Sequence, residues 1–188
     1  ADKTIETHVA GEAQIIPDNK KMTRETLFDV ASLTKVVCTT SLILRLYQAG
    51  KIDLEAPVHD YLLAFSDTKV TIRQLLTHTA DLNTWIESRD QLSADELKKA
   101  YLNLTSGPLI GQDVHYTDAG MILLGFLLEE IFGQPLTTLF TEKILQPLGM
   151  TQSFFPPLSK NRKVAATEMG LLPGQTHDPK ARILGIHA

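Results

Sequence analysis

Residues 32–48 read as one long helix that is apolar nearly all round, and such an element must be buried on most of its sides. Val36, Val37, Cys38, Leu42, Ile43, Leu44, Leu46 and Tyr47 carry the pattern. Arg45 is its main polar interruption, and Gly50 supplies a C-terminal stop. A helix of this kind needs covering layers. A chain of 188 residues, 43% hydrophobic and 21% charged, is large enough to supply one good-sized core around it.

The flanking sequence suggests what those layers are. Residues 4–16 alternate and are rich in β-branched types, so they read as a strand or hairpin with Gly11 as a bend. Pro17-Asp18-Asn19 is a turn. Beyond the central helix the pattern is helical with frequent breaks. Short helices are expected from Pro57 to Leu63 and at Ile72–Leu76. Ser93 with Glu96 forms a capping box that opens a helix reaching about Leu102. Asp118 is placed to cap a second strongly apolar helix running to Ile131, closed by Gly133 and Pro135. A last helix spans Leu136 to Leu145, and from Thr151 the sequence reads as loop. The resulting expectation is a mainly α chain with a small β part. Residues 1–35 form a partial α/β region, 36–160 a helical region, and 161–188 a loop-rich segment.

Ser32-Leu33-Thr34-Lys35 stands at the head of the central helix. Positions three apart share a helix face, with Cβ atoms about 5–6 Å apart, so Lys35 can point at Ser32. A buried amine that accepts the serine's proton makes a nucleophile without histidine. Spacing alone is weak support. With eight serines and twelve lysines in the chain, about half an S-x-x-K match is expected by chance. The same residues also describe an N-cap serine followed by a solvated lysine. A second match, Ser66-Asp67-Thr68-Lys69, lies in a short polar stretch after Phe65 and reads as a surface turn. Tyr116-Thr117-Asp118, in a turn before the second apolar helix, can project two polar groups into a cleft, and Tyr116 could exchange protons with Lys35.

Other chemistries find little footing. Net charge is −4, without the basic footprint of a nucleic-acid binder. Cys38 is the one cysteine, which excludes an internal disulfide and suits packing. The six histidines include no H-E-x-x-H, so neither a metal nor another cofactor is expected. No stretch has the length of a membrane span. Glu129-Glu130 reads as a solvated face, and Trp85 as either a pocket rim or a loop aromatic.

Three segments occur in the order and rough spacing of the serine β-lactamase and penicillin-binding-protein superfamily. They are Leu27–Lys35, Leu75-Leu76-Thr77-His78-Thr79 and Tyr116-Thr117-Asp118-Ala119-Gly120. The chain most resembles the branch of class C β-lactamases, DD-peptidases and β-lactamase-like esterases. The resemblance implies that Ser32 is the acylated nucleophile, Lys35 its proton partner and Tyr116 the tyrosine of a Y-x-N element. Asp118 would stand on the substrate side, and His78 would be a packed histidine. Two departures accompany it. Asp118 replaces the usual Asn or Ser, and an ionised carboxylate cannot donate a hydrogen bond. Asp81 replaces a glycine, implying a changed turn. A K-T-G or H-x-G element is not found, so the chain reads as a fragment whose uncovered apolar surface invites dimerisation. The implied activity is acyl transfer on a small-molecule or peptide substrate: a β-lactam, a D-Ala-D-Ala-type peptide or an ester.

Overall fold

The computed structural model describes residues 6–156, 158 and 162–185. They divide into two compact units: residues up to Ala31 together with Phe154–His177, and Ser32–Ser153 together with the stretch from Asp178. Among the described residues the architecture is mainly helical, with one two-stranded sheet.

In the first unit, β1 (Glu12–Gln14) pairs antiparallel with β2 (Lys20–Lys21). The pairing is shorter than the alternation over 4–16 suggests, and residues 4 and 5 lie outside the described chain. Gln14 is buried, and its side-chain amide donates to the Asp18 carbonyl across the turn. Isolated pairs of strands are marginal in water. Here the returning chain adds backbone hydrogen bonds. Leu27 N–H donates to Lys163 O, Ala165 N–H to Leu27 O, and Ala166 N–H to Ala13 O.

The second unit holds the helices. In α1 the segment Lys35–Thr40 has wide π-type turns and continues as regular helix over Ser41–Gln48. Then come α2 (Ile72–Leu76), α3 (Ala94–Leu102), α4 (Ala119–Phe132) and α5 (Leu136–Phe140), which runs on in π-type turns over Thr141–Leu145; α6 is Pro179–Leu184. Reciprocal capping boxes, Thr71 with Gln74 and Ser93 with Glu96, start α2 and α3. Every residue of α4 from Ala119 to Leu128 is buried. It is the spine of the unit, contacting α1, α2, α3 and α5. Each fully buried Leu in it contributes about 1.5–3 kcal/mol of transfer free energy. Among the described residues no single helix is long and apolar enough to cross a membrane.

Four expectations are corrected. First, α1 is not buried on most sides. Cys38, Thr39, Leu42, Ile43 and Leu46 face the core, while Leu33, Val36, Leu44 and Tyr47 are 46–59% exposed. Its inner face packs on α4 and on the Thr141–Leu145 turns, where Arg45 also donates to the Lys143 carbonyl, and no described layer covers the outer face. Second, Pro57–Leu63 makes only a single 3₁₀ turn, Val58–Asp60. Third, the tail after Thr151 is not all loop. Asp178 caps α6 with its side chain, accepting from Lys180 N and Ala181 N, and Pro179 follows at the first helical position. Fourth, Glu129 is not part of a solvated face. Its Oε1 accepts the Leu136 N–H at 2.9 Å and so anchors the start of α5.

Candidate active site

Ser32 and Lys35 meet as the helical spacing predicts. Lys35 Nζ donates to Ser32 Oγ at 3.0 Å. Lys35 is buried at 6% exposure, a placement lysine adopts only when its ammonium is partnered. The partner is Asp118, whose Oδ1 lies 2.7 Å from Nζ. The residue just before the serine, Ala31, has a φ of 45°, so the backbone turns through a left-handed conformation into the helix. Ala31 N–H donates to Asp29 Oδ1 and tightens that turn.

Tyr116 lies over the same lysine, with Lys35 Nζ 5.5 Å from its ring centroid. The ring is more exposed than the half-buried tyrosine of a purely structural turn, at 61%. It packs against His78, centroid to centroid 4.6 Å at an interplanar angle of 47°. His78 has a φ of 58°, and its carbonyl accepts the His115 N–H, which joins the end of α2 to the segment before α4. The His78 ring is held below the usual histidine range by burial first and by the Lys35 charge second, against an opposing pull from Asp118. It behaves as a packed neutral ring, as the motif implies.

Asp118 departs from its expected role as a helix cap, because its side chain makes no capping bond to α4. Both oxygens are committed elsewhere: Oδ1 to Lys35, and Oδ2 to Lys180 Nζ at 3.1 Å. Burial pushes this carboxyl up, but hydrogen bonds and charge from the two lysines outweigh it and hold Asp118 below the usual carboxylate range. Lys180 in turn reaches Asp178 Oδ2 at 2.9 Å. Sequence reading missed Lys180 in α6 and its cap Asp178. The available signal was Asp178-Pro179, a cap followed by proline at the first helical position.

The remaining candidates fall away from this cluster. Ser66 is exposed, and the adjacent Asp67 binds the backbone N–H of Lys69 in the surface turn that its context predicts. Asp81 has a φ of 47°, the conformation glycine takes most readily, and its carboxylate compensates by accepting the Leu109 N–H at 2.8 Å. Trp85 is 83% exposed. Cys38 is buried, which pushes its thiol up to about 11 and leaves it a packing group. Among the described residues no His, Cys, Asp or Glu cluster could hold a metal ion.

Residues 3–183 match the family model described as Beta-lactamase. The chain is 30% identical over 197 aligned positions to an N-acetylmuramyl-L-alanine amidase of Bacillus subtilis (strain 168), an alignment covering 86% of this chain and 45% of that protein. It is equally similar, with the same coverage, to an Escherichia coli (strain K12) protein named "Putative D-alanyl-D-alanine carboxypeptidase". The chain thus spans less than half the length of the curated relatives it matches. Among solved structures, FmtA from Staphylococcus aureus superposes with a TM-score of 0.71 at 25% identity, over 82% of this chain and 44% of that one. A class C β-lactamase solved with cefoxitin shares the fold at the same TM-score and 24% identity, over 83% of this chain and 44% of that one.

Proposed function

The chain belongs to the β-lactamase family, and we propose that it carries the nucleophile of a serine hydrolase that works through an acyl-enzyme on Ser32. The observation that carries this reading is the 3.0 Å hydrogen bond between buried Lys35 and Ser32 Oγ. Ser32 Oγ attacks the carbonyl carbon of an amide or ester while its proton passes to Lys35 Nζ in its neutral form. The tetrahedral intermediate then collapses, and the proton leaves with the amine or alcohol. Tyr116, exposed and in contact with the Lys35 charge, is placed to relay that proton. Water then attacks the acyl carbon and restores the serine hydroxyl. Asp118 acts through Lys35 rather than on substrate, since both its oxygens are held by lysines.

The substrate class is an amide or ester such as a β-lactam or a D-Ala-D-Ala-type peptide. Support comes from the names of the relatives, an amidase and a carboxypeptidase. One observation favours a second reading. The Asp118 carboxylate competes for the Lys35 protons at 2.7 Å, shorter than the bond to Ser32. A homologue that binds a peptidoglycan-like or other peptide without acyl transfer would also suit that arrangement.

The test is labelling of the full-length protein with a fluorescent penicillin and with a fluorophosphonate, followed by mass spectrometry of the adduct. Label on Ser32 that vanishes in Ser32→Ala supports the hydrolase. Label that persists in Ser32→Ala, or no label on folded protein, overturns it. Peptide binding that survives Ser32→Ala points to the second reading.

A further inference from the structure

Lys35, Asp118, Lys180 and Asp178 form a continuous chain of charges leading away from Ser32, with contacts of 2.7, 3.1 and 2.9 Å. The lysine side chains at its two cationic positions are 8% and 13% exposed. A carboxylate held between one buried and one largely enclosed ammonium carries a desolvation cost that each pairing must offset. If Asp118 had Lys35 as its one cation, every proton transfer that neutralised Lys35 would leave a half-buried carboxylate uncompensated. Lys180 removes that penalty. It keeps Asp118 paired while Lys35 loses and regains its proton.

We infer that Lys180 is a positioning residue for the Ser32–Lys35 pair, acting through Asp118 as the standing counter-ion that frees Lys35 to cycle between its charged and neutral forms. The inference rests on the acyl-transfer reading above. The local structure is built to hold Lys180 in this place. Asp178 uses Oδ1 to cap α6 at the backbone of Lys180 and Ala181, and Oδ2 to aim the Lys180 side chain. One aspartate thus starts the helix and orients its cation. Among the described residues, the ionisable groups around the chain include His78 and Tyr116 beside Lys35, and Arg89, Asp90 and Tyr101, which act on Asp178, Lys180 or Asp118, with Arg182 acting on Asp90.

The test is the pH dependence of Ser32 acylation by a fluorophosphonate on the full-length protein. Lys180→Gln keeps an amide donor on a side chain one atom shorter and removes the charge. With one cation fewer, the Lys35 ammonium is favoured, so the acidic limb of the profile moves up by about one unit and the rate at pH 7 falls about tenfold. Lys180→Arg restores the wild-type limb. Asp118→Asn moves the limb the other way, and in that background the effect of Lys180→Gln is smaller, because only the direct repulsion between the two lysines is left to lose.

Titration of the Lys35 side chain by NMR on ¹³C-labelled lysine follows the same shifts and needs no turnover. It therefore separates the two ideas. A wild-type protein that does not acylate, yet shows the coupled Lys35 titration, retains the charge chain and loses the hydrolase. Unchanged profiles and titrations in folded Lys180→Gln, or equal effects of that change with and without Asp118, overturn the role of Lys180. Should Lys180→Gln fail to fold, the Asp118→Asn limb decides: no downward shift overturns it.

Discussion

The His78 and Tyr116 rings rest against each other, 4.6 Å between centroids, and the His78 backbone holds the segment that carries Tyr116. The histidine thus orients the tyrosine from two directions. His78→Ala keeps the His115 N–H to His78 carbonyl bond and removes the ring contact, at a cost of about 0.5–1.5 kcal/mol. Urea unfolding reads that loss. Ser32 labelling should slow several-fold in the same variant, since Tyr116 is then free to turn away.

Stability should fall on mild acidification because of the same ring. His78 is held below the ordinary histidine value of 6.5 in the fold, so the unfolded chain takes up its proton first. Stability is therefore lost as pH falls from about 6.5 through the lower folded value, and the loss is complete beneath it. Unfolding midpoints of the wild type and His78→Gln, compared at pH 7.5 and 5.5, check this: the wild type drops further.

Asp67 ties two distant stretches of the second unit together. Its Oδ2 accepts both the N–H and the hydroxyl of Ser106 at 2.7 Å, and its Oδ1 accepts from Lys69 N at 2.8 Å. Asp67→Ala leaves those donors without a carboxylate and costs about 1–3 kcal/mol. Asp67→Asn, which keeps acceptor oxygen, loses less in the same denaturation series.

Gly107 faces Asp81 so closely that a Cβ there would sit 2.3 Å from Asp81 Oδ2. Gly107→Ala must therefore push the Asp81 carboxylate off the Leu109 N–H, at a cost of about 1–3 kcal/mol. The double variant Gly107→Ala with Asp81→Gly relieves the clash. It should lose less than the two single costs added together.

The spine of the unit gives the largest effect. Leu127 is fully buried in α4, and Leu127→Ala removes packing on the core at about 2–5 kcal/mol. Thermal unfolding of that variant should lose several degrees more than Leu44→Ala, since Leu44 is 46% exposed.

Local chemistry made much of this legible in the sequence. The Ser93 box, the Ile72–Leu76 helix and the apolar run of α4 depend on residues within a few positions of each other, and they stand where the pattern puts them. The Ser32–Lys35 contact was readable for the same reason, as a one-turn spacing on a helix. What periodicity could not supply was the partner of Asp118. Its position before an apolar helix looks like a cap, and only tertiary folding brings Lys180 to its carboxylate. The outer face of α1 escaped for the opposite reason. An apolar pattern states which residues avoid water and not whether a covering layer stands beside them.

The enclosure of the two lysines behind Ser32 has a consequence for the response to ionic strength. Mobile ions screen exposed charges over about 8 Å at physiological salt and about 3 Å at 1 M, and reach buried pairs far less. The pairs Arg73–Glu55 and Arg89–Asp90 have side chains 38–64% exposed. The lysines flanking Asp118 are shut away from solvent by comparison. A concentrated salt solution will therefore weaken the Arg73–Glu55 and Arg89–Asp90 pairs first and leave the Lys35–Asp118–Lys180 contacts beside Ser32 the less affected.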